Sequence, residues 1–227
     1  LLGRRQRQMC IRDRYSLAKR INFFLKLKHL RKHSSSLSTL LDFGSGDGFF
    51  ITELNKKRID AHGYEPFFNS KTPNTYKKKE LLLSFDKAYF DIITMWHSIE
   101  HVESYSETIT FIKPLIKSNG LLVIACPNFQ SWEAKYYKEF WAGYDVPRHL
   151  WHFSANGLVG YLEENGFFLI KQKPMYMDSF YVCMLSEKYK GSKLWFLKGF
   201  FVGLCSNFVS FFTKSFSSTM FVFKNQI

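Results

Sequence analysis

Leu40-Leu41-Asp42-Phe43-Gly44-Ser45-Gly46-Asp47-Gly48 is the stretch that decides how this chain folds. An apolar run ending in alternating glycines reads as a buried strand running into a turn. Glycine lets the backbone there take left-handed conformations and approach a ligand closely. A helix beginning just after the turn aims its unpaired N–H groups at that ligand. In an open α/β sheet the turn lies beyond the carboxyl ends of the strands, where ligands bind. The turn alone does not select the ligand, because nicotinamide-binding chains also carry one. Three details narrow the choice. The spacing is Gly44-x-Gly46-x-Gly48 and not G-x-G-x-x-G. Asp42 precedes the turn, and Glu65 follows in Gly63-Tyr64-Glu65-Pro66, where a carboxylate binds ribose hydroxyls.

Working outward, residues 15–33 alternate apolar and basic side chains at helical spacing and predict an amphipathic helix. Strands are expected over 37–43, 61–65, 81–84, 90–96, 121–126, 167–172 and 219–223. Helices are expected over 47–57 and 104–117. A third starts at the capping Ser154 and ends at Gly166. Strands alternating with helices mean a doubly wound, mostly parallel sheet in an α/β domain. Residues 127–150 form a long aromatic and charged connection, and residues 193–212 are apolar and aromatic.

The chain has 227 residues, 46% of them hydrophobic and 19% aromatic, which excludes a disordered tail and allows a sizeable core. Its net charge of +13 favours anionic partners but does not bear on the fold. Cys10, Cys126, Cys183 and Cys205 form no CxxC pair, so neither a zinc framework nor disulfides are expected, and a cytoplasmic setting is. Met9-Cys10-Ile11-Arg12-Asp13-Arg14 resembles a translated transposon-end sequencing adapter, and residues 1–14 are expected to be non-native or disordered. Residues 15–227 then form one domain, with an aromatic amphipathic insertion over about 178–214.

Leu40–Gly48 resembles motif I of class I S-adenosylmethionine-dependent methyltransferases. Glu65 resembles their ribose-binding acid. Residues 90–102, with the ending Glu100-His101-Val102, resemble the motif after strand four, and residues 119–128 the motif around strand five. The run Asp145-Val146-Pro147-Arg148-His149-Leu150-Trp151-His152-Phe153-Ser154 is similar to a subgroup akin to ubiquinone-biosynthesis O-methyltransferases. The resemblance covers roughly residues 15–175. It implies a Rossmann-like, seven-stranded sheet with its last strand antiparallel and helices on both faces. It implies S-adenosyl-L-methionine as cofactor, bound by Asp42, Gly44, Ser45, Gly46, Gly48, Glu65, Pro66, Met95, Trp96 and His97. Ser45 stands where the family more often has cysteine. The lysine-rich stretch before Phe90 lacks the acid that usually meets adenine.

Methyl transfer is an in-line displacement for which the protein mainly supplies alignment. A base is needed where a hydroxyl acceptor must lose its proton. His101 and His149 are the candidates for that role. Asp145, His149 and His152 are scattered for metal ligands, and a lid over the acceptor with no metal is the expectation. A small-molecule or lipid-linked acceptor and O-methylation are expected. Residues 193–212, flanked by lysines, would either lie on an anionic membrane surface, peripherally on the inner face of a bacterial membrane, or form a dimer interface or a cover over the active site. An RNA acceptor suits the charge, but no Asn-Pro-Pro-Tyr motif or RNA-binding module supports it, and nucleic acid is disfavoured. A cofactor-binding but inactive scaffold of the same fold is the remaining alternative.

Overall fold

The computed structural model describes residues 19–34, 36–67 and 72–226; the expectation for residues 1–14 falls outside them. Seven strands make one sheet: β1 (Thr39–Phe43), β2 (Asp60–Tyr64), β3 (Thr75–Tyr76), β4 (Phe90–Trp96), β5 (Ile116–Pro127), β6 (Phe167–Pro174) and β7 (Ser218–Asn225). Their order is β3-β2-β1-β4-β5-β7-β6. The first five pair in parallel, and β7 lies antiparallel between β5 and β6. This is the doubly wound sheet with an antiparallel last strand that the sequence implied.

Alternation along the strands explains why both faces need helices. Ile92, Leu121, Val123 and Val222 point to one face, Ile93, Leu122, Ile124 and Phe223 to the other. Apolar residues on both sides of the central strands mean that neither face is left to water there. The first face is covered by α1 (residues 19–33), through Phe23, Leu27 and Leu30, and by α2 (Phe49–Asn55), through Phe50, Ile51 and Leu54. The second is covered by α3 (Tyr105–Ile112) and α5 (Ala155–Glu164), with a short α4 (Trp132–Tyr137) between them in sequence. Ser104 and Ser154 cap α3 and α5 by accepting the backbone N–H of Glu107 and Gly157.

Three boundaries differ from expectation. Residues Lys79–Ser84 form a 3-10 helix, and the third strand is the earlier Thr75–Tyr76. Of the Leu81-Leu82-Leu83 run only Leu82 is buried, so the triplet plugs the sheet edge with one side chain instead of pairing as a strand. The helix expected to reach residue 117 stops at Ile112, because Pro114 follows and removes an N–H. Strand β5 already begins at Ile116 and passes through Asn119, at φ 62, as an irregularity in its pairing with β4.

Two helices, α6 (Tyr176–Tyr189) and α7 (Trp195–Thr213), fill the span between β6 and β7. Their packing reverses the usual pattern. The buried positions of α7 are Gly199, Gly203, Ser206 and Ser210, while Phe196, Phe201, Phe208, Phe211 and Phe212 face outward. A Cβ on Gly199 would lie 2.4 Å from Met184 Cα, so only glycine permits this approach of the two helices. The buried hydroxyl of Ser206 donates to Glu133 Oε2 on α4, which fixes the pair to the body of the domain.

Asp91 closes the edge of the sheet beside β1. Its carboxylate accepts the N–H groups of Ser38 (2.8 Å) and Thr39 (3.0 Å) and pairs with Lys117 (2.7 Å). Burial alone would raise its pKa, but the Lys117 ammonium and the two N–H groups outweigh that and hold it at about 2. A folded-state pKa below the unfolded one gives stability that is complete above the unfolded value and lost on acidification. Asp91→Asn should therefore destabilise the fold by about 2 kcal/mol at neutral pH in denaturant unfolding. The difference from wild type should shrink as the pH falls from about 4 to about 2.

Candidate functional site

The carboxyl end of β1 carries the glycine turn, and two neighbours hold it in place. The N–H groups of Gly44 and Ser45 both donate to Tyr64 O at the end of β2, at 2.8 and 3.0 Å. The Ser98 hydroxyl, beyond β4, donates to Phe43 O at 2.6 Å. Gly44 has φ 93, and a Cβ there would sit 2.4 Å from Ser98 Cβ, so backbone conformation and neighbour both require glycine. Beyond the turn, Asp47 Oδ1 accepts the Phe49 N–H at the start of α2, and the same carboxylate pairs with Lys19 of α1.

Between the turn and α1 lies a cavity of about 220 Å³ lined by Asp42, Gly44, Ser45, Gly46, Trp96 and residues of α1 and α2. Asp42 is wholly buried and accepts the Thr94 hydroxyl at 2.7 Å. Desolvation pushes its carboxyl up to about 6, against the opposing pull of Lys26 and Thr94. Lys26 lies over the rings of Trp96 (4.4 Å) and Phe50 (5.3 Å). Burial lowers its pKa, and Asp42 and Asp178 oppose that. The cavity thus presents carboxylates and ammonium groups together. Its wall also holds two buried polar atoms, Ser45 Oγ and Trp96 Nε1, with no hydrogen-bond partner among the described residues.

The expected cofactor residues divide into two groups. Asp42, Gly44, Ser45, Gly46 and Trp96 line the cavity; Gly48, Glu65, Pro66, Met95 and His97 do not. Met95 points to the opposite face from Trp96 and is core, as alternation on β4 dictates. Gly48 is packed against Thr72, and Pro66 is exposed. Glu65 stands at the rim, accepting the Gly46 N–H (3.0 Å) and the Phe67 N–H (3.0 Å). A carboxylate retains lone pairs after two such bonds and can still accept hydroxyl donors. His97, at φ 51, lies between Glu100 Oε1 (3.5 Å) and Asp178 Oδ2 (3.2 Å). Burial alone would lower its pKa, but these two acids outweigh that and push it up to about 9.

Residues 145–151 are fastened to the segment after β4. The N–H groups of Leu150 and Trp151 donate to Glu100 O, and the Trp151 indole donates to Val102 O. This brings His101 and His149 together, with ring centroids 4.7 Å apart. His152 is exposed, and Arg148 pairs with Asp145 at 2.6 Å. Sequence reasoning did not single out Lys19, Lys26 or Asp178. A lysine on the apolar side of 15–33 and a lone acid in an aromatic run were the available signals.

Comparison with known proteins agrees with this geometry. A methyltransferase-domain family model matches residues 4–172. No curated protein matches the sequence. Among solved structures, phosphoethanolamine N-methyltransferase 2 from Haemonchus contortus, in complex with S-adenosyl-L-methionine, aligns with TM-score 0.58 and 15% identity. The alignment covers 88% of this chain and 52% of that one, so this chain spans about half its length. A SAM-dependent methyltransferase from Archaeoglobus fulgidus aligns with TM-score 0.54 and 17% identity over 89% of this chain and 94% of that one. A possible histamine N-methyltransferase from Thermotoga maritima aligns with TM-score 0.58 and 14% identity over 94% of each chain. The fold is the one these S-adenosylmethionine-dependent methyltransferases share. This chain belongs to the methyltransferase-domain family.

Two outcomes follow for the cavity. Gly44→Ala should abolish S-adenosylhomocysteine binding and lower the melting temperature, both read by thermal shift with and without ligand. The ligand's ammonium favours ionised Asp42, so affinity in calorimetric titrations should be level above about pH 7 and fall as the pH drops through about 6. Asp42→Asn should bind roughly tenfold or more weakly and lose that pH step.

Proposed function

We propose that this chain transfers a methyl group from S-adenosylmethionine to an oxygen of a small-molecule or lipid-linked acceptor, while docked on an anionic membrane surface. The observation that carries this reading is the cavity on the glycine turn, which offers both charge signs to a zwitterionic ligand. When bound, the cofactor supplies an electrophilic methyl on a sulfonium sulfur. Asp42 complements its ammonium, and Lys19 and Lys26 lie on the same wall to complement its carboxylate. Glu65 at the rim is the acceptor for ribose hydroxyls. Phe23, Phe49 and Phe50 give the cavity apolar wall. His101 and His149 stand beyond β4 on the same edge of the sheet and can take the proton of an acceptor hydroxyl.

The membrane surface is supported by α7. It is long and apolar enough to cross a bilayer by length and composition, with 22% of that stretch buried. Its outward face is phenylalanine-rich, and both of its ends return to the same domain, which suits a helix lying in the interface. At its foot an open groove of about 780 Å³ combines Leu194, Leu197 and Phe201 with Lys190, Lys193 and Lys198. Exposed apolar side chains beside lysines complement a bilayer with anionic headgroups. A cytoplasmic protein bound peripherally to the inner face of a bacterial membrane fits this surface.

Calorimetric titration of the full chain should show micromolar binding of S-adenosylmethionine and S-adenosylhomocysteine, lost in Gly46→Arg. No binding by folded protein would sink the reading. Binding without methyl transfer to any phenolic, lipid-linked or RNA acceptor would favour the scaffold instead. Sedimentation with phosphatidylglycerol vesicles should exceed that with phosphatidylcholine. Phe208→Asp with Phe212→Asp should reduce it roughly tenfold or more, since each Phe removed forfeits about 1.5–3 kcal/mol of burial.

A further inference from the structure

Glu100 is 1% exposed, and neither carboxylate oxygen accepts a hydrogen bond among the described residues. The cation nearest to it is the His97 imidazole, at 3.5 Å. A buried carboxylate without donors costs several kcal/mol, and folds rarely retain one idle. Two imidazoles stand beside it, each pinned by a main-chain carbonyl. His101 Nδ1 lies 2.9 Å from Arg148 O, and His149 Nδ1 lies 2.8 Å from Gly143 O. A carbonyl only accepts, so both Nδ1 atoms carry the hydrogen, and in neutral rings both Nε2 atoms keep a lone pair. His149 Nε2 also faces Asp145 Oδ2 at 3.8 Å. Several acceptors therefore converge, and the His97 imidazole faces one of them, Glu100 Oε1, at 3.5 Å.

We propose that Glu100, His101 and His149 hold a divalent first-row transition ion, with zinc the best fit. Ligand-capable atoms of the three residues lie within 4.8 Å of one another. Bonds of about 2.0–2.2 Å bring such atoms to roughly 3.5 Å apart, a contraction that small side-chain rotations provide. Two imidazoles and one carboxylate are ligands of zinc-type ions, whereas magnesium and calcium take oxygen. The carbonyls on Nδ1 are the supporting hydrogen bonds that such histidines require. Three protein ligands leave a coordination position open, the mark of a catalytic ion. There it receives the acceptor hydroxyl and lowers its pKa, and the proton leaves to solvent. With the ion bound, His101 and His149 act through it; without it, their Nε2 lone pairs are what can take the proton directly. This last role rests on the proposed methyl transfer; ion binding does not.

The test is titration of the untagged, chelator-stripped full chain with Zn²⁺ alone and with Mn²⁺ alone. We expect one Zn²⁺ per chain at micromolar or tighter affinity, and weaker Mn²⁺. His149→Ala and Glu100→Gln should each weaken zinc roughly a hundredfold or more. S-adenosylhomocysteine affinity and melting temperature, read on the same samples, show whether each variant is folded. Should neither variant fold, the wild-type Co²⁺ spectrum decides alone. Ligand-field bands of a nitrogen- and oxygen-bound ion support the site; a thiolate charge-transfer band, or no Co²⁺ uptake, overturns it. Absence of zinc uptake, or uptake undiminished in a folded variant, also overturns it. Zinc uptake without S-adenosylhomocysteine binding leaves the ion site standing and sinks the methyltransferase reading.

Discussion

Buried charge along the carboxyl edge of the sheet is the constraint on which the rest of this structure depends. Asp42, at the end of β1, is removed from water, and a charge in that position persists only with partners. Thr94 supplies a hydrogen bond and Lys26 a countercharge. Lys26 reaches it only because α1 lies across the glycine turn. Asp178 of α6 acts on Lys26 and contacts His97, which in turn contacts Glu100. One run of alternating charge therefore joins α1, β1, β4 and α6, elements far apart in the chain. The cavity on the glycine turn lies at one end of that run and the paired histidines at the other.

The same edge explains the unusual phenylalanine content. Helices α6 and α7 pack on each other through Gly199 and Gly203, and α7 is tied to the domain by Ser206 and the buried Glu133. That leaves the apolar surface of α7 facing outward, where water penalises it and a lipid surface does not. Because Asp178 also lies on α6, the helix pair carrying the apolar face contributes to the site itself.

Much of this was legible in local sequence. Turn chemistry is a property of a few adjacent residues, so Leu40–Gly48 announced both strand and ligand turn. Largely apolar runs such as 90–96, interrupted by Asp91 and Thr94, announced strands. Where distant atoms compete, local reading failed. Leu81-Leu82-Leu83 has the composition of a strand, yet the sheet edge was already taken by Thr75–Tyr76. Residues 193–212 showed that an apolar helix was present but not which side would be buried, since its partner helix comes from a different stretch.

Sequence by itself determined the class of fold, the glycine turn and the acids beside it, because strand period, backbone freedom at glycine and carboxylate chemistry are local. Tertiary structure alone decided that Lys26 and Asp178 share a charge network with Asp42 and His97. It alone decided that Glu100, His101 and His149 converge although nearly fifty residues separate the last two. It also turned the phenylalanines of α7 outward. The physical reason is common to all three: partners for buried charge, and sides for an apolar helix, are set by which elements pack together, and no short window of sequence contains both members of such a pair.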